Sequence, residues 1–181
     1  LEMLREGIQA CRVGLIGGAG TERAWPLMPL ESLLAELERG QEISQQQLGK
    51  KFTVFGRRRF GLTPVLPQLL VKSGFVGALP LTFEEGTFPE GSQVKTRWEG
   101  TDATSIDALA RIPLNANLPE TFLSLANRLG ESMDMDHVAT LCLAHWPGQT
   151  SPWYDDLRRI SRYTTALGRF ITVEDYFEQT D

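Results

Sequence analysis

The stretch FTVFGRRRFGLTPVLPQLLVKSGFVGALPLT, residues 52–82, decides the fold class of this 181-residue chain. It begins with an apolar run, Phe52–Phe55, that is typical of a buried strand. Thr63 followed by Pro64 predicts a helix start, and Gly74 marks the position where that helix ends. A second apolar run, Phe75–Leu81, predicts the next strand. A strand, a helix and a strand in this order predict two parallel neighbours, because a parallel crossover needs a connection of helix length.

The same alternation continues on both sides of this stretch. Upstream, the pattern predicts a short helix over residues 1–10, a buried strand over 12–16, and a leucine-rich helix from residue 30 that Gly40 interrupts or ends. Downstream, the strand candidates are residues 96–99, 105–111, 138–144 and 170–173, with helices from Asn117, from Ser151-Pro152 and, capped by Thr172 and Asp175, at the end of the chain. About seven strands and five or six helices predict an α/β fold, and the strand count favours a seven-stranded β/α barrel, either complete or incomplete, over an open sandwich. Periodicity alone does not separate these two architectures.

The composition is that of a soluble globular domain, with 41% hydrophobic and 23% charged residues. The formal net charge of −5 argues against nucleic-acid and anionic-membrane partners, because both require a basic surface. The only two cysteines, Cys11 and Cys142, lie far apart in sequence. They favour free thiols in a cytoplasmic protein over a disulfide. The chain begins with Leu1, and we expect a single α/β domain over residues 1–181 that is a fragment of a longer protein.

Candidate functional residues follow the predicted strands, because the carboxyl ends of the strands carry the functional face of α/β barrels. As catalytic candidates the pattern indicates Glu22, Glu99 and Asp102. As substrate-binding candidates it indicates Arg57, Arg58, Trp98, His145 and Trp146. The paired acidic residues Glu84 and Glu85 follow another strand and are typical of a solvated loop.

Each of these positions also has a structural interpretation. Gly17-Gly18 is too short for a dinucleotide fingerprint. The triple arginine at 57–59 is typical of a solvated turn or of an anion site, and because adjacent guanidiniums repel, we expect at least one to pair with a carboxylate. His145 is either a hydrogen-bonded structural group or a functional one. His137, the other histidine, is predicted at the opposite end of the same strand, so we expect no metal site within this chain.

Several stretches resemble landmarks of glycoside hydrolase family 38, the α-mannosidases. FGLTPVLPQLLVKSGF at 60–75 is similar to the segment after the family's catalytic strand, and FPEGSQVKTRWEGTDAT at 88–104 is similar to its W-x-G-x-D-G-[ST] stretch. Upstream, GGAGTE at 17–22, LESLLAELERGQ at 30–41 and Leu48-Gly49 occur in the family's order. The resemblance covers roughly residues 15–112.

The resemblance implies a seven-stranded β/α barrel, a zinc ion that holds the mannoside, and a retaining mechanism with two carboxylates. The family's aspartate nucleophile, which is also a zinc ligand, corresponds to Arg58. An arginine cannot attack an anomeric carbon or bind zinc. The family's His-x-Asp pair is not in this chain, so zinc would require ligands upstream. Ala103 replaces the family's second glycine, and the resemblance gives Asp102 a role in organising the loop.

Two functional hypotheses follow, and the loss of the aspartate at position 58 motivates the first of them. The first is a diverged family-38-like barrel without α-mannosidase activity, with a carbohydrate or other domains of the same polypeptide as its partner. The second is an active hydrolase in which Glu22, Glu99 or Asp102 has taken over the chemistry and the arginines bind an anionic glycan. Unrelated α/β enzymes, such as a polysaccharide deacetylase with a metal-bound water, are a third class.

Overall fold

The computed structural model describes residues 1–59, 61–82, 95–110, 113–121, 123–125, 127, 130, 143–144, 153–163 and 170–180. The chain divides into two compact units. One comprises Leu1–Pro89, Lys95–Ala110 and Ile171–Asp181, and the other comprises Glu90–Val94 and Arg111–Phe170.

Strands and helices alternate through most of the first unit, as the sequence predicts. In chain order the elements are α1 (Glu2–Gln9), β1 (Ile16–Gly17), a 3₁₀ turn (Trp25–Leu27), α2 (Leu30–Leu48), β2 (Val54–Arg57), α3 (Leu66–Lys72), β3 (Gly77–Thr82), β4 (Lys95–Glu99), β5 (Ser105–Leu109), β6 (Leu114–Asn115), β7 (Leu143–Ala144), α4 (Tyr154–Tyr163) and α5 (Val173–Gln179). Among the helices that the structure describes, none combines the length and the apolar character needed to cross a bilayer.

The sheet of the first unit is open and five-stranded, in the order β1-β2-β3-β5-β4. β1, β2, β3 and β5 are parallel, and β4 forms an antiparallel hairpin with β5. The predicted β2–α3–β3 crossover is therefore confirmed. A closed seven-stranded barrel is not formed by the described residues. The connection at residues 100–104 is too short for a parallel crossover, which makes β4 and β5 an antiparallel hairpin and not two strands of a parallel barrel.

The core lies between one face of the sheet and the helices α2 and α3. Alternate residues of the strands point to this face because successive side chains of a strand point to opposite sides. Its largest fully buried side chains are aromatic and aliphatic. The buried set comprises Trp25, Leu33, Leu37, Phe55, Leu66, Leu69, Leu70, Phe75, Ala78, Ile106 and Ala108. Burial at about 25 cal/mol per Å² of apolar surface makes this layer the main stabilising contribution to the unit.

Helix α2 continues through Gly40, so the prediction that this glycine interrupts or ends the helix is wrong. The helix ends at Leu48, where Gly49 adopts a left-handed conformation with φ 75° that favours glycine. Gly40 has a packing role instead. A Cβ atom at this position would collide with the carbonyl oxygen of Gly18. Helix α2 therefore approaches the chain segment after β1 more closely than any other residue type would allow.

The end of the first unit is helical rather than extended. The predicted strand at 170–173 is wrong, because α5 starts at Val173. The predicted cap is confirmed, since the Thr172 hydroxyl accepts a hydrogen bond from the Asp175 backbone N–H at 3.2 Å. Glu174 is only 4% exposed. Its Oε1 accepts a bond from the Leu15 N–H at 3.0 Å and lies 2.9 Å from the Lys50 Nζ atom. This buried carboxylate fixes α5 beside the start of β1.

The second unit contains the parallel pair β6 and β7 and the helix α4. Helix α4 has Asp155 and Asp156 in its first turn, as predicted. Negative charge is favourable there because the helix dipole is positive at its amino end. Each aspartate lies close to an arginine three residues later, Arg158 and Arg159, at 3.9 and 3.2 Å. These surface pairs contribute little to stability.

Candidate functional site

The register of the strands defines two edges of the five-stranded sheet. Arg57, the last residue of β2, is level with Thr82 at the end of β3, and we name this the carboxyl edge. Gly77, the first residue of β3, is level with Asp107 of β5. Ser105, two residues earlier in β5, pairs with Glu99. The turn between β4 and β5 therefore lies at the end of the sheet opposite the carboxyl edge. The parallel strands begin at this end, and we name it the starting edge.

Arg57 is buried at the carboxyl edge, with 3% of its surface exposed. Its guanidinium carbon lies 4.3 Å from the ring centroid of Trp25, a cation–π contact. Nη2 donates a hydrogen bond to the Arg23 carbonyl oxygen at 2.6 Å, and Nη1 donates to the Gly61 carbonyl oxygen at 3.3 Å. The side chain of Arg57 is enclosed by these contacts, and its predicted contact with substrate stays a prediction. It joins the loop after β1 to the end of β2.

An irregularity in the sheet accompanies this arrangement of Arg57. Gly56 is level with Leu79, but Arg57 is level with Thr82, so the register between β2 and β3 shifts at this point. The shift falls opposite Pro80, which has no backbone N–H to donate to the ladder. Irregularities of this kind redirect side chains at strand ends. Arg57 still lies on the same face of β2 as Phe55, and its guanidinium contacts the core at the carboxyl edge of the sheet.

The loop between β1 and α2 is held by a buried carboxylate of the helix. Glu36 is 7% exposed. Its Oε2 accepts hydrogen bonds from the backbone N–H and the hydroxyl of Thr21, both at 2.9 Å. Its Oε1 lies 3.8 Å from Nε of Arg23. The backbone N–H of Gly20 donates to the Glu36 carbonyl oxygen at 3.0 Å. Glu36 therefore positions the loop that carries Glu22, Arg23 and Trp25.

Glu22 and Arg58 meet at the carboxyl edge, although 36 positions separate them in sequence. The Oε1 atom of Glu22 accepts a hydrogen bond from the Arg58 backbone N–H at 2.7 Å. Both residues are exposed, and so is Arg59. The Arg23 side chain is 59% exposed. The loop after β1 and the loop after β2 therefore form one surface with exposed carboxylate and guanidinium groups.

Glu99 and Asp102 are not part of this surface. Glu99 pairs with the first residue of β5, and Asp102 lies in the following turn, so both are at the starting edge. The prediction that they follow the carboxyl end of a parallel strand is wrong, because β4 runs antiparallel to its neighbours. Trp98 is half-buried and packs against the core, and its predicted role in substrate contact stays a prediction.

Asp102 organises the turn between β4 and β5. Its Oδ1 accepts a hydrogen bond from the Thr104 backbone N–H at 3.1 Å, and its Oδ2 accepts one from the Thr104 hydroxyl at 2.6 Å. These bonds, the hydroxyl bond above all, hold the pKa of Asp102 below its ordinary value. A carboxylate that stays ionised can accept the hydrogen bonds of a turn, but it has no proton to donate in catalysis. Ala103 in the same turn has φ 63°, a left-handed conformation that favours glycine.

Some predicted positions lie outside the described residues. These are His145, Trp146, Glu84, Glu85, His137 and Cys142. Cys11 is described and is an exposed free thiol.

Three residues of the carboxyl edge are missing from the sequence prediction: Arg23, Trp25 and Glu36. Trp25 and Glu36 lie outside the strand-end positions to which the prediction was confined. A signal for Trp25 is present in the sequence, since a tryptophan in a short loop between a strand and a helix is typically buried over a neighbouring element. Glu36 lies on the apolar side of α2, between Leu33 and Leu37. A carboxylate in that position indicates a specific buried partner.

Among the described residues of the carboxyl edge, the donor set does not suit the zinc ion that the family resemblance implies. Glu22 is the one exposed carboxylate between the loops described above, and its near neighbours Arg23 and Arg58 are cations that disfavour a metal ion. Within the described ranges, no three histidine, cysteine, aspartate or glutamate side chains converge as a metal site requires. No chemical step through zinc is therefore derived for these residues.

Comparison with solved structures shows that the fold of this chain is similar to part of two larger proteins. A 4-α-glucanotransferase from Thermococcus litoralis matches 99% of this chain with a TM-score of 0.63 and 14% sequence identity. An α-mannosidase from Enterococcus faecalis V583 matches 98% of this chain with a TM-score of 0.61 and 15% identity. The matched regions are 28% and 21% of those two chains, so this chain spans less than a third of either. No protein-family model and no curated protein matches the sequence. The structural likeness shows a glycosidase-like α/β fold, and membership of family 38 stays a prediction.

Proposed function

We propose that this chain is part of a diverged glycoside-processing fold of the family-38 type that binds a carbohydrate at its carboxyl edge and does not hydrolyse α-mannosides. The observation that carries this proposal is the place of Arg58. It directly follows β2 at the carboxyl edge, where the family resemblance puts the nucleophile. A guanidinium stays protonated at all physiological pH values and cannot act as a nucleophile or a base. It is, however, a strong hydrogen-bond donor to oxygen-rich ligands.

The residues around Arg58 hold its backbone in a defined position. Its backbone N–H is held by Glu22 Oε1 at 2.7 Å, and the preceding residue, Arg57, is buried against Trp25. The backbone of this segment is thus fixed on both sides, while the Arg58 side chain is exposed. Fixed backbone with an exposed polar side chain is typical of a binding surface.

The hypothesis of an active hydrolase with relocated carboxylates loses support from the same geometry. Glycosidases of the usual kind need two carboxyl groups within ~10 Å of each other. Glu22 lies at the carboxyl edge, whereas Glu99 and Asp102 lie at the starting edge. Glu22 is therefore separated from the other two candidates, and the Asp102 carboxylate is engaged by Thr104 in its own turn. An activity assay must still test whether Glu22 has a catalytic role.

Two measurements on the purified chain test the proposal. The first incubates the protein with aryl α-mannoside and a panel of other aryl glycosides, with and without added zinc. We expect the unmodified protein to show no more turnover than the Glu22→Gln variant. Turnover that Glu22→Gln abolishes would contradict the non-hydrolytic proposal and support the hydrolase hypothesis.

The second measurement is binding to a panel of neutral and acidic oligosaccharides. We expect saturable binding that weakens in Arg58→Ala. The matched control is Arg97→Ala, which removes the same charge from an exposed arginine of β4. Binding to no oligosaccharide in the panel would reject the carbohydrate proposal and leave a structural or interaction role within a larger polypeptide.

A further inference from the structure

Ile16 is an apolar side chain that the fold leaves exposed near the carboxyl edge. It is the first residue of β1 and is level with Val54 of β2. Val54 is completely buried, whereas Ile16 is 41% exposed. In the part of the sheet that the structure describes, β1 pairs with β2 alone, so its outer side is not covered by a second strand. Ile16 therefore presents hydrocarbon surface directly before the loop that carries Glu22.

The neighbouring strand makes room for this side chain. A Cβ atom on Gly56 would collide with Cγ2 of Ile16, and the next nearest atom, Cβ of Leu79, would be 3.9 Å away. The backbone of Gly56 is not in the left-handed region that favours glycine. A glycine inside a strand is typical of a close approach by another group. The Ile16 side chain is that group, and it lies across the sheet from β1 onto Gly56.

This arrangement brings the exposed part of Ile16 close to Arg58. Gly56 and Arg58 are two residues apart, and two residues of extended chain span about 7 Å. The Arg58 backbone N–H donates to Glu22 Oε1 at 2.7 Å, and the Arg58 side chain is exposed. An exposed aliphatic group and an exposed guanidinium therefore lie near enough for one oligosaccharide to contact both.

We infer that Ile16, held over Gly56, is the apolar contact of the bound carbohydrate, against which the C–H face of a pyranose ring packs while the sugar hydroxyls reach Arg58. This inference rests on the proposed carbohydrate-binding function. Small-molecule sites combine apolar surface with a few polar groups that fix the orientation of the ligand. Hydroxyl groups gain little net affinity because they give up hydrogen bonds to water, so removal of hydrocarbon from water at Ile16 supplies much of the attraction.

Titration calorimetry tests this contact with maltoheptaose and mannotriose as probes. We expect Ile16→Ala to weaken the binding of the tighter probe about fivefold, because it removes hydrocarbon that the sugar would cover. The heat-capacity change of binding should also become less negative. Ile16→Leu keeps the number of carbon atoms and should bind within about twofold of the unmodified protein. The matched control is Ile43→Ala in α2, where the isoleucine is 40% exposed, and its affinity should be unchanged.

A double-mutant cycle tests the part that Gly56 has in this contact. The methyl group added by Gly56→Ala should displace the Ile16 side chain, so the affinity should fall about as far as in Ile16→Ala. The variant with both substitutions should show no further fall, because alanine at position 16 has no Cγ2 atom to displace. Losses that add up in the double variant would contradict the placement of Ile16 over Gly56.

The possible outcomes separate this inference from the function on which it rests. Unchanged affinity in Ile16→Ala, together with weaker binding in Arg58→Ala, would overturn the inference while the carbohydrate function stands. Equal weakening in Ile16→Ala and Ile43→Ala would also overturn it, since binding would then involve exposed apolar residues without selection. Failure of both probes to bind would reject the pyranose contact, and failure of every oligosaccharide in the wider panel would reject the carbohydrate function as well.

Thermal unfolding of each variant shows whether a loss of binding reflects a loss of fold. Ile16 is on the surface, so we expect Ile16→Ala to remain folded at the temperature of the titration. Gly56→Ala introduces a collision inside the sheet and is the more disruptive change. Ile16→Ala therefore tests the contact even if Gly56→Ala does not fold.

Discussion

The two edges of the five-stranded sheet both carry charged residues, but they use them differently. At the starting edge, a buried charged pair serves the fold: Glu174 lies 2.9 Å from the Lys50 Nζ atom and accepts a hydrogen bond from the Leu15 N–H. At the carboxyl edge, one layer of charged groups is buried and a second layer is exposed above it. The difference shows that a strand-end charge is a candidate for function only where the neighbouring elements leave it exposed.

The same comparison separates residues that the sequence treats as equivalent. Arg57 and Arg58 are adjacent and identical in type, yet one is 3% exposed and the other is on the surface. Glu22 and Asp102 are both exposed carboxylates in loops, but Asp102 accepts two bonds from Thr104 in its own turn, whereas Glu22 accepts one from a distant strand end. Position relative to the sheet, and not residue type, distinguishes the members of each pair.

The largest expected effect is that of Arg57→Ala, which breaks the buried layer of the carboxyl edge. Loss of the cation–π contact and of the bonds to the Arg23 and Gly61 carbonyl oxygens should lower the free energy of unfolding by about 3 kcal/mol. Urea unfolding measures this change. Arg58→Ala is the matched control, with an expected change within about 0.5 kcal/mol. Similar losses in the two variants would remove the distinction between the buried and exposed layers.

A smaller effect is expected from Gly40→Ala, which disturbs the support of the loop after β1. The added methyl group would collide with the Gly18 carbonyl oxygen, a backbone atom that cannot move without shifting the loop. Overpacking of this kind costs about 1–3 kcal/mol, and the higher helix propensity of alanine offsets about 1 kcal/mol. Unfolding should therefore show a net loss of up to about 2 kcal/mol. Gln46→Ala, on the exposed side of α2, should stay within about 0.5 kcal/mol.

A substitution at the starting edge is expected to raise the free energy of unfolding. Ala103 adopts φ 63° in the turn between β4 and β5, a conformation that costs alanine about 1 kcal/mol or more and glycine almost nothing. Ala103→Gly should raise the free energy of unfolding by about 0.5 kcal/mol after the greater flexibility of glycine in the unfolded chain is included. Ala10→Gly, at a position with φ −85°, should lower it. A loss of stability in Ala103→Gly would contradict the left-handed turn.

The smallest effect is a pH dependence in the same turn. Because the bonds from Thr104 lower the pKa of Asp102 in the folded state, ionised Asp102 stabilises the fold above the pKa that it has in the unfolded chain. That contribution is lost as the pH falls through the lowered pKa, in the range below about pH 4. The stability difference between the unmodified protein and Asp102→Ala should therefore be larger at pH 7 than at pH 2.5, as unfolding curves at both values would show. A difference that grows on acidification would contradict the assignment.

Much of the first unit follows from local sequence alone. The short helix at residues 1–10, the β2–α3–β3 crossover and the Thr172 cap correspond to α1, to the parallel pair of β2 and β3, and to the start of α5. These features depend on periodicity and on capping residues, which act over a few positions. The predictions that failed, such as a helix end at Gly40 and a strand at 170–173, involve tertiary contacts. Gly40 is required by the approach of Gly18, which no local pattern reveals.

The candidate site divides in the same way. The sequence by itself determined that Glu22 follows a strand and that the three arginines lie at the end of one, because hydrophobic runs ending in polar residues mark strand ends. Only the tertiary structure decided that Glu22 meets Arg58, that Trp25 and Glu36 support their loops, and that Glu99 and Asp102 lie at the far edge. These outcomes depend on strand order, direction and register, which are set by packing between segments distant in sequence. The order of residues along the chain does not show directly which distant segments pack together.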